Sequence, residues 1–122
     1  MRKRLQSIGF AIKGLRTVFR QEKNFQIQTV VALIVFVLMM VTPLTSFERI
    51  ILILLVALVL LLEITNTALE YTLDIFRPRV HPTVGIVKDI MAGAVLVGTL
   101  AAVTIGCIIF LPYVTTLVPF LF

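Results

Sequence analysis

A long apolar run that leads directly into acidic residues constrains this chain more than any other feature. Residues 50–62 carry no polar side chain, so a helix there is apolar enough to lie in a bilayer. On a continuing α-helix the next polar side chains share a face roughly 80° wide, and these are Glu63, Asn66, Glu70 and Asp74. A carboxylate at membrane depth costs several kcal/mol, so this face cannot point into lipid. It predicts a functional site, with helix–helix packing through polar pairs as the alternative.

Composition places the whole chain in the membrane class. It has 122 residues, is 60% hydrophobic and has a mean hydropathy of +1.12, whereas soluble domains are about 45–50% apolar. We therefore expect an all-α membrane protein with a single domain, residues 1–122. Three thin helices enclose little space, so any site should lie between helices or subunits, and an oligomer is expected.

The basic residues are placed unevenly along the chain. The net charge is +5, and these seven basic residues precede the first apolar segment: Arg2, Lys3, Arg4, Lys13, Arg16, Arg20 and Lys23. Such clusters mark the cytoplasmic side and favour contact with anionic membrane lipids, so the N-terminus is predicted inside and the C-terminus outside. The acidic stripe then lies at the cytoplasmic face. No aromatic stacking platform accompanies the cluster, so nucleic-acid binding is not expected.

Residues 1–25 are predicted to form an amphipathic surface helix. Leu5, Ile8, Ile12, Leu15 and Phe19 are spaced by three and four residues, which makes one apolar stripe. A basic helix of this kind lies in the membrane interface, with a targeting segment as the alternative. An acidic residue, Glu22, stands near its end.

Three transmembrane helices follow, at residues 27–43, 47–75 and 83–112. Ser46 is expected to cap the second helix, and Pro112 is expected to end the third. The small residues of the third, Ala92-Gly93-Ala94 and Gly98, would allow close helix approach. Residues 76–82 read as a loop that contains the only histidine, His81, for which a structural role outweighs metal ligation. The only cysteine, Cys107, excludes a disulfide framework.

Acidic, amide and basic groups at one membrane face suit the chemistry of a hard cation. Mg²⁺ takes one or two protein carboxylates and completes its shell with water and phosphate oxygens. Phosphoryl transfer needs such a metal, cations against the phosphates and a base. The chain has no Walker A motif and no kinase glycine loop. An ion-coupled transporter, which would use the same carboxylates, is the rival from physics alone.

Three segments together carry a resemblance to a known family: Glu63-x-x-Asn66-Thr67-Ala68-x-Glu70-x-x-x-Asp74, then His81-Pro82, then Lys88-Asp89-x-x-Ala92-Gly93-Ala94-Val95. With Phe19-Arg20-x-Glu22-x-Asn24-Phe25 upstream, the chain resembles the prokaryotic diacylglycerol kinases over about residues 10 to 97. The resemblance implies a homotrimer of three-span subunits, each with a surface helix, in the bacterial cytoplasmic membrane. It also implies phosphorylation of a lipid alcohol with ATP and Mg²⁺.

The resemblance further implies roles for individual residues. Glu63 would be the general base and would contact the lipid, with Asn66 beside the reacting groups. Glu22 and Glu70 would be the metal ligands. The implied nucleotide-binding set is Glu22, Glu70, Asp74, Lys88 and Asp89. Phe10 is added as a lipid-binding residue.

One branch of the family fits better than the other. Gln28 stands where the enterobacterial diacylglycerol kinases place a glutamate, and the Asn24 to Ile27 pattern and the Ala-Gly-Ala run look more like the Gram-positive branch. Members of that branch are mostly undecaprenol kinases, so undecaprenol is the expected acceptor and diacylglycerol the alternative. A non-enzymatic, ion-linked membrane protein is the other function class.

Overall fold

A computed structural model describes residues 1–75 and 82–121, and this part of the chain forms four α-helices. They are α1 (Arg2–Gln21), α2 (Lys23–Val41), α3 (Ser46–Asp74) and α4 (Pro82–Leu121). The last three are long and apolar enough to cross a membrane, which confirms the all-α class with three apolar spans. The predicted loop and His81 lie outside the described residues, except that Pro82 is already the first residue of α4.

Only one residue, Glu22, separates α1 from α2. Its backbone is extended, with φ −106° and ψ 109°, and its N–H donates to the Val18 carbonyl at 2.9 Å. The side chain of Gln26 donates to the Phe19 carbonyl at 2.7 Å, and the rings of Phe19 and Phe25 meet edge to face with centroids 6.4 Å apart. Helix α2 therefore begins at Lys23, four residues before the predicted start of the first span, and Glu22 is held at the junction.

The cap of α3 was predicted one residue too late. Thr45, not Ser46, precedes the first turn, and its hydroxyl accepts the backbone N–H of Glu48 at 3.2 Å. Thr45 has the extended backbone that an N-cap requires, with φ −69° and ψ 158°. Ser46 is already inside the helix, so it cannot perform this role.

A small apolar cluster joins the N-terminal part of α3, far from Glu63, to α2 and α4. Its buried members are Met39, Leu44 and Leu52, and its partly buried members are Val35, Ile109, Phe110 and Tyr113. The Tyr113 hydroxyl lies 3.0 and 3.1 Å from the two carboxylate oxygens of Glu48 and donates to that carboxylate. This contact joins the start of α3 to the C-terminal part of α4.

The prediction that Pro112 ends the third helix is wrong, because α4 continues through Pro112 and Pro119 to Leu121. A proline inside a helix removes one backbone hydrogen bond, whereas a helix end leaves four carbonyl groups without an intrahelical partner. Continuing the helix through Pro112 therefore leaves fewer backbone groups unpaired than ending it there would.

Close approach between α3 and α4 occurs at Gly98, which is buried. A Cβ atom at this position would collide with the side chain of Leu62, so the predicted role of a small residue is confirmed here. Gly93, by contrast, has no atom within 4 Å of such a Cβ. The Gly98 contact sets α4 beside the residue that immediately precedes Glu63.

Most apolar side chains of the spans are exposed in the single chain. Ile53, Leu58 and Val103, for example, are 54%, 45% and 58% exposed. Exposed apolar surface on this scale requires lipid or a protein partner around the helices. The residues of the apolar stripe of α1, from Leu5 to Phe19, are also exposed, and the placement of that helix in the membrane interface stays a prediction.

Candidate functional site

The acidic stripe lies on the last turns of α3, which stays helical from Ser46 to Asp74 and so preserves the predicted face. Glu63 and Thr67 are the two largest fully buried side chains in the described residues, at 2% and 1% exposure. The Thr67 hydroxyl donates to the Glu63 backbone carbonyl at 3.0 Å. A carboxylate this deeply buried needs neighbouring groups that stabilise it or use it.

The surroundings of the Glu63 carboxylate come from two parts of the chain. The side chain of Asn24, at the start of α2, lies within hydrogen-bonding reach of the carboxylate. Glu22 and Glu70 lie near enough to act electrostatically on its charge. The second oxygen, Oε2, is buried and has no hydrogen-bond partner in the described residues. The α1–α2 junction and α3 therefore meet at Glu63.

Asn66 and Glu70 form a pair one helical turn further along α3. The Asn66 amide donates to the Glu70 carboxylate at 3.4 Å, a long hydrogen bond, and both side chains are partly buried. The amide thus limits the orientations of one Glu70 oxygen and leaves the other oxygen available to a ligand.

The end of α3 is joined to α4 by an ion pair. Lys88 Nζ lies 2.8 Å from Asp74 Oδ1, with the two side chains 27% and 41% exposed. An ion pair this open to solvent contributes at most about 1 kcal/mol, so it can exchange for another partner at little cost. The pair brings one cation to the acidic end of α3.

Two further predicted site residues lie at the surface of the single chain. Phe10 is 71% exposed on α1. Asp89 is exposed on α4, next to Lys88.

Sequence reasoning assigned no role to Asn24 or Thr67. Thr67 stands four residues after Glu63, so helical spacing alone would have placed it on the same face. Asn24 became a neighbour of Glu63 only through the break at Glu22, which places the start of α2 against α3. The Glu48–Tyr113 contact joins residues 65 positions apart and has no local signal.

The group's chemistry fits a hard cation. No cluster of three or more His, Cys, Asp or Glu side chains that could hold a metal occurs in the described part of the chain. Mg²⁺ does not need one, because it keeps waters and phosphate oxygens in its shell and takes one or two carboxylates. Glu22 and Glu70 supply that number, and both lie near a third carboxylate whose repulsion a cation would relieve.

Comparison with known proteins identifies the family. The profile of a family described as prokaryotic diacylglycerol kinase matches residues 9–110. The chain is 36% identical over 107 residues to an undecaprenol kinase of Bacillus subtilis, covering 88% of this chain and 87% of that protein. It is 35% identical over 109 residues to a diacylglycerol kinase of Synechocystis, covering 88% and 62% respectively. It is 31% identical over 105 residues to a diacylglycerol kinase of Escherichia coli K12, covering 86% of both.

The burial of Glu63 among like charges predicts a stabilising substitution. Glu63→Gln removes a charge that is excluded from water and repelled by Glu22 and Glu70, so the temperature of thermal unfolding in lipid should rise by a few degrees without Mg²⁺ or nucleotide. Glu48→Gln is the matched control on the same helix and should give no such gain, because the Tyr113 hydroxyl already stabilises Glu48. Equal unfolding temperatures for Glu63→Gln and wild type would show that the surrounding groups fully compensate the buried charge.

Proposed function

The chain belongs to the prokaryotic diacylglycerol kinase family and is a membrane lipid kinase that uses ATP, and on this premise we propose that it converts undecaprenol to undecaprenyl phosphate. The observation that carries the proposal is the buried Glu63 carboxylate, with one oxygen unpaired, beside Glu22 and Glu70. A reaction on a lipid hydroxyl needs a base that the membrane substrate can reach, and Glu63 is the most deeply buried acid of the described chain.

In the proposed reaction Glu63 is the general base. Its unpaired oxygen accepts the proton of the lipid hydroxyl while the hydroxyl oxygen attacks the γ-phosphorus of ATP. The bond from that phosphorus to the bridging oxygen breaks, and ADP leaves with its electron pair. Asn24 holds the carboxylate in place, and Asn66 orients Glu70 beside it. General-base catalysis of this kind typically contributes about 10²–10⁴-fold.

We assign the metal and the nucleotide to the part of the acidic stripe nearer the end of α3. Glu22 and Glu70 would hold Mg²⁺, which supplies electrostatic stabilisation of the phosphate charge when bound. Lys88 would exchange Asp74 for a phosphate group, and Asp74 would then help to keep the ammonium at this position. Asp89, exposed on the next residue of α4, would contact the polar part of ATP.

Sequence features and the identity to a relative favour undecaprenol over diacylglycerol as the acceptor. The support comes from Gln28, from the Asn24 to Ile27 pattern and from the identity of 36% to the Bacillus subtilis enzyme. Diacylglycerol is the second candidate acceptor, because two relatives that carry that name are 35% and 31% identical. Phe10, exposed on α1, is proposed to contact the lipid.

The acceptor is tested by phosphotransfer from ATP with the purified protein in bilayers. With Mg²⁺ present, kcat/KM should be higher for undecaprenol than for diacylglycerol. The reverse order would replace the proposed acceptor. ATP hydrolysis that yields neither lipid phosphate would contradict phosphorylation of either lipid.

Two variants should separate the base from the metal ligands. Glu63→Gln should lower kcat by about 10²–10⁴-fold at every Mg²⁺ concentration, because the amide cannot take the proton. Glu70→Gln should instead raise the Mg²⁺ concentration needed for half-maximal rate. Glu48→Gln, at the other end of α3, should leave both quantities near the wild-type values. An unchanged Mg²⁺ requirement in Glu70→Gln and in Glu22→Gln would show that these residues are not the metal ligands.

The protein is further proposed to be a homotrimer in the bacterial cytoplasmic membrane, with its site at the cytoplasmic face. The basic N-terminal segment and the exposed apolar surface of the spans support this arrangement. A reporter fused after the last residue should then be active only outside the cell, and one fused before Met1 only inside. A cytoplasmic C-terminal reporter would overturn the predicted orientation.

Cross-linking in the membrane should yield a product of three chains. A dimer as the largest product would overturn the proposed trimer.

A further inference from the structure

Three cations in the second half of α1 lie on one side of its apolar stripe. At about 100° per residue, Lys13, Arg16 and Arg20 fall within roughly 60° of one another, beside the stripe that runs from Leu5 to Phe19. All three side chains are exposed. Within residues 1–75 and 82–121 their charged groups form no ion pair. These three residues, here named the basic row, therefore lack an acidic partner in the described part of the chain.

The direction in which the basic row points follows from the burial of Val18. Val18 is the buried residue of α1, and on the helix it lies roughly 170° from the middle of the row. Because α1 contacts α2 and α3, the side that carries Val18 faces those helices and the row faces away from them. With the apolar stripe in lipid, as expected for an amphipathic surface helix, the row lies level with the headgroups around the protein.

Phospholipids with a net negative charge are the partner whose chemistry fits the basic row. Lys and Arg side chains lay their stems along apolar surface and keep the charged group at the interface. A guanidinium can also donate two parallel hydrogen bonds to one phosphate. Each such cation strengthens the attraction to an anionic membrane surface about fivefold. A row on one side of the helix therefore gathers these lipids at one place beside the protein.

We propose that the basic row binds anionic phospholipids and that these lipids fix the position of Glu22. The second part rests on the proposed function, in which Glu22 is a metal ligand. Glu22 follows the row and is the single residue between α1 and α2. The hydrogen bond of 2.7 Å from the side chain of Gln26 to the Phe19 carbonyl restricts movement between the two helices. A lipid that holds α1 at the membrane surface therefore also holds the backbone of Glu22.

A tryptophan placed in the row reports which lipids lie next to it. Gly9 shares the 60° sector of the row, a Cβ at this position would meet no atom within 4 Å, and the chain has no tryptophan of its own. Vesicles of phosphatidylcholine with about 30% phosphatidylglycerol supply the anionic lipid. Bromine on the acyl chains of phosphatidylglycerol should quench Gly9→Trp at least about twofold more than the same amount of bromine on phosphatidylcholine.

Two further variants separate the row from the net charge of the helix. In the Gly9→Trp background, Lys13→Gln/Arg16→Gln should abolish the difference in quenching. Lys3→Gln/Arg4→Gln removes the same charge from exposed positions outside the row and should preserve the difference. Equal quenching by the two brominated lipids with the row intact would overturn the proposal. A preference for phosphatidylglycerol that ATP abolishes would assign the row to the nucleotide and would overturn it as well.

The effect on Glu22 is measured as the Mg²⁺ concentration needed for half-maximal phosphotransfer in the same vesicles. This concentration should be severalfold higher for Lys13→Gln/Arg16→Gln than for Lys3→Gln/Arg4→Gln. Comparing two variants of equal charge cancels the general attraction of Mg²⁺ to an anionic membrane. Equal Mg²⁺ requirements would overturn the control of Glu22 by lipid. Preferential quenching without phosphorylation of any lipid by the wild type would contradict the proposed function and still support lipid binding by the row.

Discussion

The exclusion of water from the Glu63 carboxylate is the condition on which the rest of the structure depends. A charge in a medium of low dielectric is stable only where fixed groups replace its solvent. The side chain of Asn24, at the start of α2, is such a group, whereas Glu22 and Glu70 repel the charge. Moving the start of α2 away from α3 would leave the acid without the amide of Asn24.

The one-residue break at Glu22 therefore has more consequence than its length suggests. The hydrogen bond from Gln26 to the Phe19 carbonyl and the Phe19–Phe25 ring contact fix the angle between α1 and α2. Because no loop separates α1 from α2, the two helices hold Glu22 and Asn24 in fixed positions near α3. Rigid elements place side chains more precisely than loops do.

Hydrophobic periodicity and helical spacing predicted the four helices and the shared face of Glu63, Asn66 and Glu70, because both depend on local geometry. The pairing of Glu48 with Tyr113 and the approach of Asn24 to Glu63 depend on how helices pack, so no spacing rule could supply them. The predicted helix end at Pro112 was wrong for a different reason. A proline removes only one backbone hydrogen bond, so a long helix can continue through it. The roles of the individual site residues came from the family resemblance and stay predictions.

The length of α4 has a consequence for the membrane itself. Its uncharged part, from residue 90 to the end of the helix, is about 48 Å long at 1.5 Å per residue, against a hydrocarbon layer of about 30 Å. Even a tilt of about 40°, the upper end for membrane helices, leaves roughly 37 Å along the bilayer normal. Because Tyr113 lies level with Glu48, the excess falls beyond the start of α3. The lipids beside α4 must stretch or the last turns must leave the layer, so hydrophobic mismatch makes the depth of this protein sensitive to bilayer thickness.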